Sequence, residues 1–273
     1  MRLLYSSDLH GNRKAYGALL ERASRDDVDA LVLGGDLCPR GGSTLGEWIA
    51  AQREFLESFL VPLFSPFKKK YPAKNIFAIM GNDDFRKNAD VLEKAEKEGV
   101  LHFIHKKKAE LGGGFFIAGY GFVNTTPFRL KDWEKKDLEG AKMPPQLSSE
   151  TVRSVPEEKG TIAEDMEDIA ALSDPRKTVY AIHAPPFNTN LDIASSGQHV
   201  GSVAIRDFIE KHSPLATLHG HIHESPEMSG SWMDVLGTTV CVNVGSAYPR
   251  PILPCCAIDT ESITTLSYEE VLL

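Results

Sequence analysis

Leu3-Leu4-Tyr5-Ser6-Ser7-Asp8-Leu9-His10 opens the chain, and Leu31-Val32-Leu33-Gly34-Gly35-Asp36 repeats its plan. Each is a short apolar run that ends on a metal-ligand type of residue. Three more segments follow the same plan. Ile76-Phe77-Ala78-Ile79-Met80 leads into Gly81-Asn82-Asp83-Asp84. Val179-Tyr180-Ala181-Ile182 leads into His183, and Leu215-Ala216-Thr217-Leu218 leads through His219 into Gly220-His221-Ile222-His223. Short apolar runs of three to five residues like these read as buried strands. The parallel strands of an α/β sheet end on one edge, where ligands bind. Seven oxygen and nitrogen donors are therefore expected around one point: Asp8, His10, Asp36, Asn82, His183, His221 and His223.

Helical patterns separate these runs. Residues 12–24 place Ala15, Leu19, Leu20 and Ala23 on one face, with Asn12 as N-cap. Further helices are expected over 44–60, ended by Pro62 and Pro66, over 87–98, closed by Gly99, over 161–172 and over 202–212. Short strands are expected near 100–104, 115–120 and 178–182, and beyond Thr239 the chain reads as strands at Thr239-Val240-Cys241-Val242 and Cys256-Ala257-Ile258. Repeated strand–helix alternation implies an α/β class with parallel strands and covering helices. The stretch from about 121 to 160 breaks the alternation with Pro127, Pro144, Pro145 and a charged run, and reads as an inserted cap over the site. Its Asn124, Thr125, Thr126, Arg129 and Trp133 are candidates to orient a substrate, and residues 1–273 read as one domain.

The bulk numbers restrict the function. With 273 residues and 42% apolar content a sizeable core is available. A net charge of −8 argues against nucleic acid as a partner. No apolar stretch is long enough to cross a membrane, and the strand starting near Arg2 leaves no room for a removable signal peptide. Cys38, Cys241, Cys255 and Cys256 lack the spacing of a zinc site and read as reduced thiols, most of them buried, which points to the cytoplasm. Cys255 and Cys256 are expected on opposite faces of a strand. A homo-oligomer is not predicted.

Mixed oxygen and imidazole donors suit transition metals better than calcium. Two such ions about 3.5–4 Å apart activate a bridging hydroxide and clamp the oxygens of an in-line displacement, the chemistry of phosphate-ester hydrolysis. The order DxH, GD, GN, H, GHxH, from Asp8 to His223, resembles the calcineurin-like metallophosphoesterase superfamily. The resemblance implies a four-layer α/β/β/α sandwich of two mixed β-sheets flanked by helices. It implies one metal held by Asp8, His10, Asp36 and His223 and another by Asp36, Asn82, His183 and His221. The ions are two divalent transition metals among Mn, Fe, Zn, Ni and Co, with Mn favoured. Asn243-Val244-Gly245-Ser246 also resembles the segment after the last motif in small bacterial members.

Two positions depart from the family pattern. Asp83 stands where many members carry a histidine that protonates the leaving oxygen. Cations nearby would lower its pKa and make it a poor general acid. After Asp36, where the pattern often has another Asp or Asn, the chain runs Leu37-Cys38-Pro39-Arg40, and Arg40 is a candidate phosphate clamp beside Asn82. His199, after the His183 loop, is the alternative acid. His219 is expected to be packed, His102, His105 and His212 to lie at the surface, and Lys68–Lys70 and Lys106–Lys108 to be solvated. The function expected is hydrolysis of a small phosphate monoester or diester. The competing readings are a nuclease of the same superfamily and an interaction scaffold with a weak or dead site.

Overall fold

The computed structural model describes residues 1–246 and 250–273. In chain order the elements begin β1 (Arg2–Ser6), α1 (Arg13–Ala23), β2 (Ala30–Gly34), α2 (Leu45–Phe55), α3 (Val61–Lys70), β3 (Asn75–Ile79) and α4 (Ala89–Lys97). The chain continues through β4 (His102–Phe103), β5 (Lys108–Gly112), β6 (Phe115–Tyr120), β7 (Val123–Asn124), β8 (Glu134–Lys135), α5 (Ile162–Ala170) and β9 (Thr178–Ile182). It closes with α6 (Val203–His212), β10 (Ala216–His219), α7 (Ser225–Ser229), β11 (Met233–Leu236), β12 (Thr239–Asn243), β13 (Ile252–Asp259) and β14 (Ser262–Leu272).

Two six-stranded sheets result, ordered β14-β13-β1-β2-β3-β4 and β11-β12-β10-β9-β6-β5, with β7 and β8 forming a separate pair. β1, β2, β3 and β4 run parallel, as do β6, β9, β10 and β12, while the pairs β1–β13, β13–β14, β5–β6 and β11–β12 are antiparallel. Both sheets are therefore mixed, and both are buried on two faces, which is why their strands read as unbroken apolar runs. The pleat sorts alternate residues. Leu3, Tyr5, Ala30, Val32, Phe77 and Ile79 enter a core shared with Val179, Ala181, Ala216 and Leu218 of the other sheet. Leu4, Leu31, Leu33, Ile76 and Ala78 face the other way, toward Leu19, Leu60, Phe64 and Leu92 of the helices. The expected helix–sheet–sheet–helix sandwich is present.

Several local expectations are corrected. Pro62 and Pro66 do not end a helix: the chain stays helical from Leu45 to Lys70, wound as a π-helix over Leu56–Leu60. Pro62 falls in the first turn after that rewinding, where a missing N–H costs little. Burial of Leu56, Leu60, Phe64 and Phe67 carries the helix across Pro66. β5, β11 and β14 were not expected. β14 is the outermost strand of its sheet, and its mostly exposed polar residues hide its period. His105 is not a surface residue; it packs among Tyr120, Phe122 and Trp133. Lys106 is not simply solvated, because it pairs with Asp165 and Glu158. All four cysteines are buried and free, and Cys255 and Cys256 enter different cores. Among the described residues no helix is long and apolar enough to cross a membrane.

Residues 121–160 hold little regular structure beyond β7 and β8. They are fixed by charge and backbone contacts instead. Asp132 accepts from the Arg86 N–H (2.9 Å), Lys135 pairs with Asp165 (2.6 Å), and Asp137 accepts from Val203 N–H (2.7 Å) at the start of α6. Trp133 and Thr126, two of the candidate substrate contacts, are buried inside this packing. Trp133 lies beneath Gly121, where any Cβ would meet its ring at 3.2 Å. These two side chains wall the insert rather than a ligand.

Candidate metal centre

The first two loops after strands continue the pairing of those strands. Asp8, His10 and Gly11 donate their backbone N–H groups to the carbonyls of Gly35, Asp36 and Leu37 at 3.1, 2.9 and 2.9 Å. To turn inward so soon after a strand the backbone is forced into the left-handed region. Seven described non-glycine residues have positive φ, and four of them are Asp8, His10, Asp36 and His221. Such strain concentrates at functional sites. The motif glycines keep space for the donors. A Cβ on Gly81 would sit 2.4 Å from Asp36 Oδ1 and 2.5 Å from His183 Nε2, and one on Gly220 would sit 2.2 Å from Asp8 Oδ2.

Asp8, His10, Asp36 and His223 bring one ligand atom each within 4.8 Å of one another. His10 Nε2 lies 3.1 Å from His223 Nε2, which lies 3.0 Å from Asp8 Oδ1. A second group forms beside it. His183 Nε2 is 3.1 Å from Asn82 Oδ1 and 3.4 Å from Asp36 Oδ1, and His221 Nδ1 is 2.5 Å from Asn82 Oδ1. Asp36 faces both groups: its Oδ2 is 3.7 Å from His10 Nε2 while its Oδ1 turns to His183. All seven sequence candidates thus meet at one place. Their chemistry fits transition-metal ions. His183 Nδ1 donates to the Gly34 carbonyl at 2.8 Å, which orients Nε2 toward the donors, the usual outer support of a ligating imidazole.

The charges are strongly coupled. Burial opposes ionisation of Asp8, but the neighbouring His223 and His183 outweigh it and hold its pKa at about 2. Asp36 is likewise driven low against its burial, chiefly by His183. Burial would lower His183, yet Asp36 raises it to about 10, whereas burial takes His10 to about 4 and His221 to about 3. Asp83 behaves differently from the expected lowered carboxylate. Burial and the Asp36 charge push it up to about 7 against the pull of Arg40. The expectation concerned nearby cations; the protein charges alone act in the opposite direction. Asp83 is bound to the Arg40 guanidinium and lies 3.7 Å from His10 Nδ1. The two positions that depart from the family pattern are therefore one ion pair at the site.

A cleft of about 520 Å³ opens beside the donors. Asp8, His10, His223 and Arg40 form its polar wall, and Leu9, Pro39 and Ile252 are among its apolar lining. Asn124 and His199, the other candidates, do not line it. Asn124 donates to the Val200 carbonyl at 3.0 Å, and His199 pairs through Nδ1 with buried Asp192 at 2.7 Å. Three residues to which the sequence reading gave no role support the site. Asp84 accepts from the N–H groups of Gly81, Leu37 and Cys38 at 3.0, 3.0 and 2.8 Å, bolting two motif loops together. Gln52 donates to the Asp83 carbonyl (2.7 Å) and accepts from Phe85 N–H (2.8 Å). Asn243 donates to the carbonyls of Leu191 and Ile222 at 3.0 and 3.1 Å, steadying the last histidine loop. Only adjacency to a motif signalled Asp84; Gln52 lies on a helix, with no signal at all.

Comparison with known proteins agrees with this geometry. The sequence pattern of the family described as calcineurin-like phosphoesterase matches residues 1–225. The solved structure of TT1561 from Thermus thermophilus is 16% identical, with 98% of each chain covered and a TM-score of 0.64. Another solved structure is 16% identical over the same shares with a TM-score of 0.63. At such identities the likeness is one of fold. No curated protein sequence matches the chain.

Proposed function

The chain belongs to the calcineurin-like phosphoesterase family, and from that premise we propose that it is a metal-dependent hydrolase of small phosphate esters. The observation that carries the reading is the convergence of Asp8, His10, Asp36 and His223 within 4.8 Å beside an open cleft. Two divalent transition-metal ions, manganese first among them, would be held by these four and by Asp36, Asn82, His183 and His221. When bound they supply Lewis-acid activation of water and neutralise charge on the phosphoryl oxygens.

The chain's own residues supply the rest. Arg40, exposed on the cleft side and tethered by Asp83, offers a fork of N–H donors to a phosphoryl oxygen. Asp83, committed to Arg40, serves to aim it rather than to protonate the leaving group. His199 is held by Asp192 outside the cleft lining, so the departing oxygen draws its proton from water. Four buried, unpaired cysteines support a cytoplasmic setting. Residues 1–273 are read as one domain with 121–160 as its insert.

Elemental analysis of protein reloaded with Mn should find up to two ions per chain, and Asp36→Asn should lower both occupancies together. Aryl phosphates should be turned over, and alkyl esters should be slower by about 10²–10⁴-fold, the usual worth of general acid catalysis. Protein that takes up no metal, or metal-loaded protein inert toward every aryl phosphate, would overturn the reading.

A further inference from the structure

A second, smaller cleft of about 200 Å³ joins the first. The two share four lining residues: His223, Ser246, Arg250 and Pro254. His223, one of the donor cluster, therefore lines both clefts, one arm running past Leu9 and Ile252 and the other past Trp232 and Tyr268. Those two rings stack on each other, centroids 5.5 Å apart and planes inclined by 24°. Both are half-buried and both line the smaller arm. The Asn243 N–H donates to the Trp232 carbonyl (2.9 Å), and Tyr268 lies on β14, paired through β13 at Cys256. The wall is thus carried on regular structure.

We propose that the Trp232–Tyr268 arm is a second substrate subsite, binding the group on the far side of phosphorus in a small phosphodiester. This deepens the hydrolase reading and rests on it. A monoester has one substituent on its phosphoryl group and fills one arm; a diester fills both, with its phosphorus at the junction between His223 and Arg250. Stacked aromatic walls favour a planar group. Glu227 and Glu270 also line this arm and disfavour a further phosphate there. Arg250, which lines both clefts, pairs with Glu227 at 2.9 Å. About 200 Å³ admits one ring system and no polymer. In the reaction, water oxygen bonds to phosphorus and one ester P–O bond breaks. The departing oxygen gains a proton, giving an alcohol and a phosphate monoester.

Three esters with the same leaving group test this: 4-nitrophenyl phosphate, methyl 4-nitrophenyl phosphate and phenyl 4-nitrophenyl phosphate. Metal-loaded protein should hydrolyse the phenyl diester with kcat/KM about ten-fold above the methyl diester, as a well-packed ring contact allows. Trp232→Ala and Tyr268→Ala should erase that ratio by raising KM for the phenyl diester, with metal content and monoester turnover unchanged. Trp232→Phe, which keeps a ring, should retain most of it. Equal rates for the two diesters, or a ratio that survives both alanine variants, would overturn the subsite. Inertness toward all three esters would instead sink the hydrolase reading. Quenching of Trp232 fluorescence by the phenyl diester, absent in Trp232→Phe, then reports the subsite without turnover, and its absence in the wild type would overturn it.

Discussion

At the scale of single residues, the site depends on space as much as on donors. Gly81 is buried against Asp36 and His183, and a methyl group there has nowhere to go without displacing them. Gly81→Ala should therefore lower metal content sharply while the secondary structure measured by circular dichroism is retained; normal metal uptake would contradict this. Arg40 presents the opposite case. Its guanidinium is more than half exposed and its partner Asp83 is buried. Arg40→Gln should leave metal content intact and reduce kcat/KM for aryl phosphates by about 10–100-fold, on the scale of a charge-assisted contact of about 1.5–3 kcal/mol. Asp83→Asn should give part of that loss by releasing Arg40. Unchanged kinetics in Arg40→Gln would remove it from the site.

At the scale of elements, the link between β4 and β5 holds a half-buried imidazole packed among aromatic rings. His105 Nδ1 accepts from the Gly121 N–H at 3.0 Å, so the ring is neutral there. Burial, assisted by the charge of Lys106, lowers its pKa to about 3. In the unfolded chain a histidine titrates near 6.5. Between these values the unfolded state binds the proton and the folded state does not, so stability falls as the pH drops from about 6.5 toward 3. His105→Phe removes that proton uptake and leaves the Gly121 N–H unpaired, a cost of about 1–3 kcal/mol at pH 7. Urea titrations should show the wild type ahead at pH 7 and the gap narrowing by pH 4.5. A gap independent of pH would refute the assignment.

At the scale of the whole molecule, one carboxylate is a hub among the ties between the insert and the sandwich. Asp165 on α5 accepts from Lys135, Lys106 and the Tyr120 hydroxyl at 2.6, 2.8 and 2.7 Å. Burial disfavours its charge, but these partners win and hold its pKa below the usual range. Asp165→Asn leaves buried Lys135 short of a counter-charge and should cost about 3 kcal/mol at neutral pH. The effect should begin to fade below about pH 4, where the unfolded carboxylate protonates, and vanish only as the pH falls through the lower folded pKa. Limited proteolysis should then cut within 121–160 sooner than in the wild type. Equal cleavage rates would show that the insert is held by other contacts.

How much of this was legible in the chain follows from the range of each interaction. Apolar runs that end on Asp, Asn or His are local signals, and they located the parallel strands, their common edge and all seven donors, while the motif order carried the sandwich. β14 left no such signal, because much of this outermost strand is exposed and its apolar period is weak. Pro62 and Pro66 misled because tertiary burial of Phe64 and Phe67 outweighed a local breaking tendency. His105 and Trp133 read as exposed or substrate-facing, since nothing in their neighbours tells of a sheet edge folding over them. The sequence by itself determined which candidate donors converge and in what order the strands present them. Only the tertiary structure decided that Arg40 is held by Asp83, that Asp84 and Gln52 brace the loops, and that two clefts meet at His223. Those pairings join residues tens to hundreds of positions apart, and packing, rather than any local pattern, sets which of them meet.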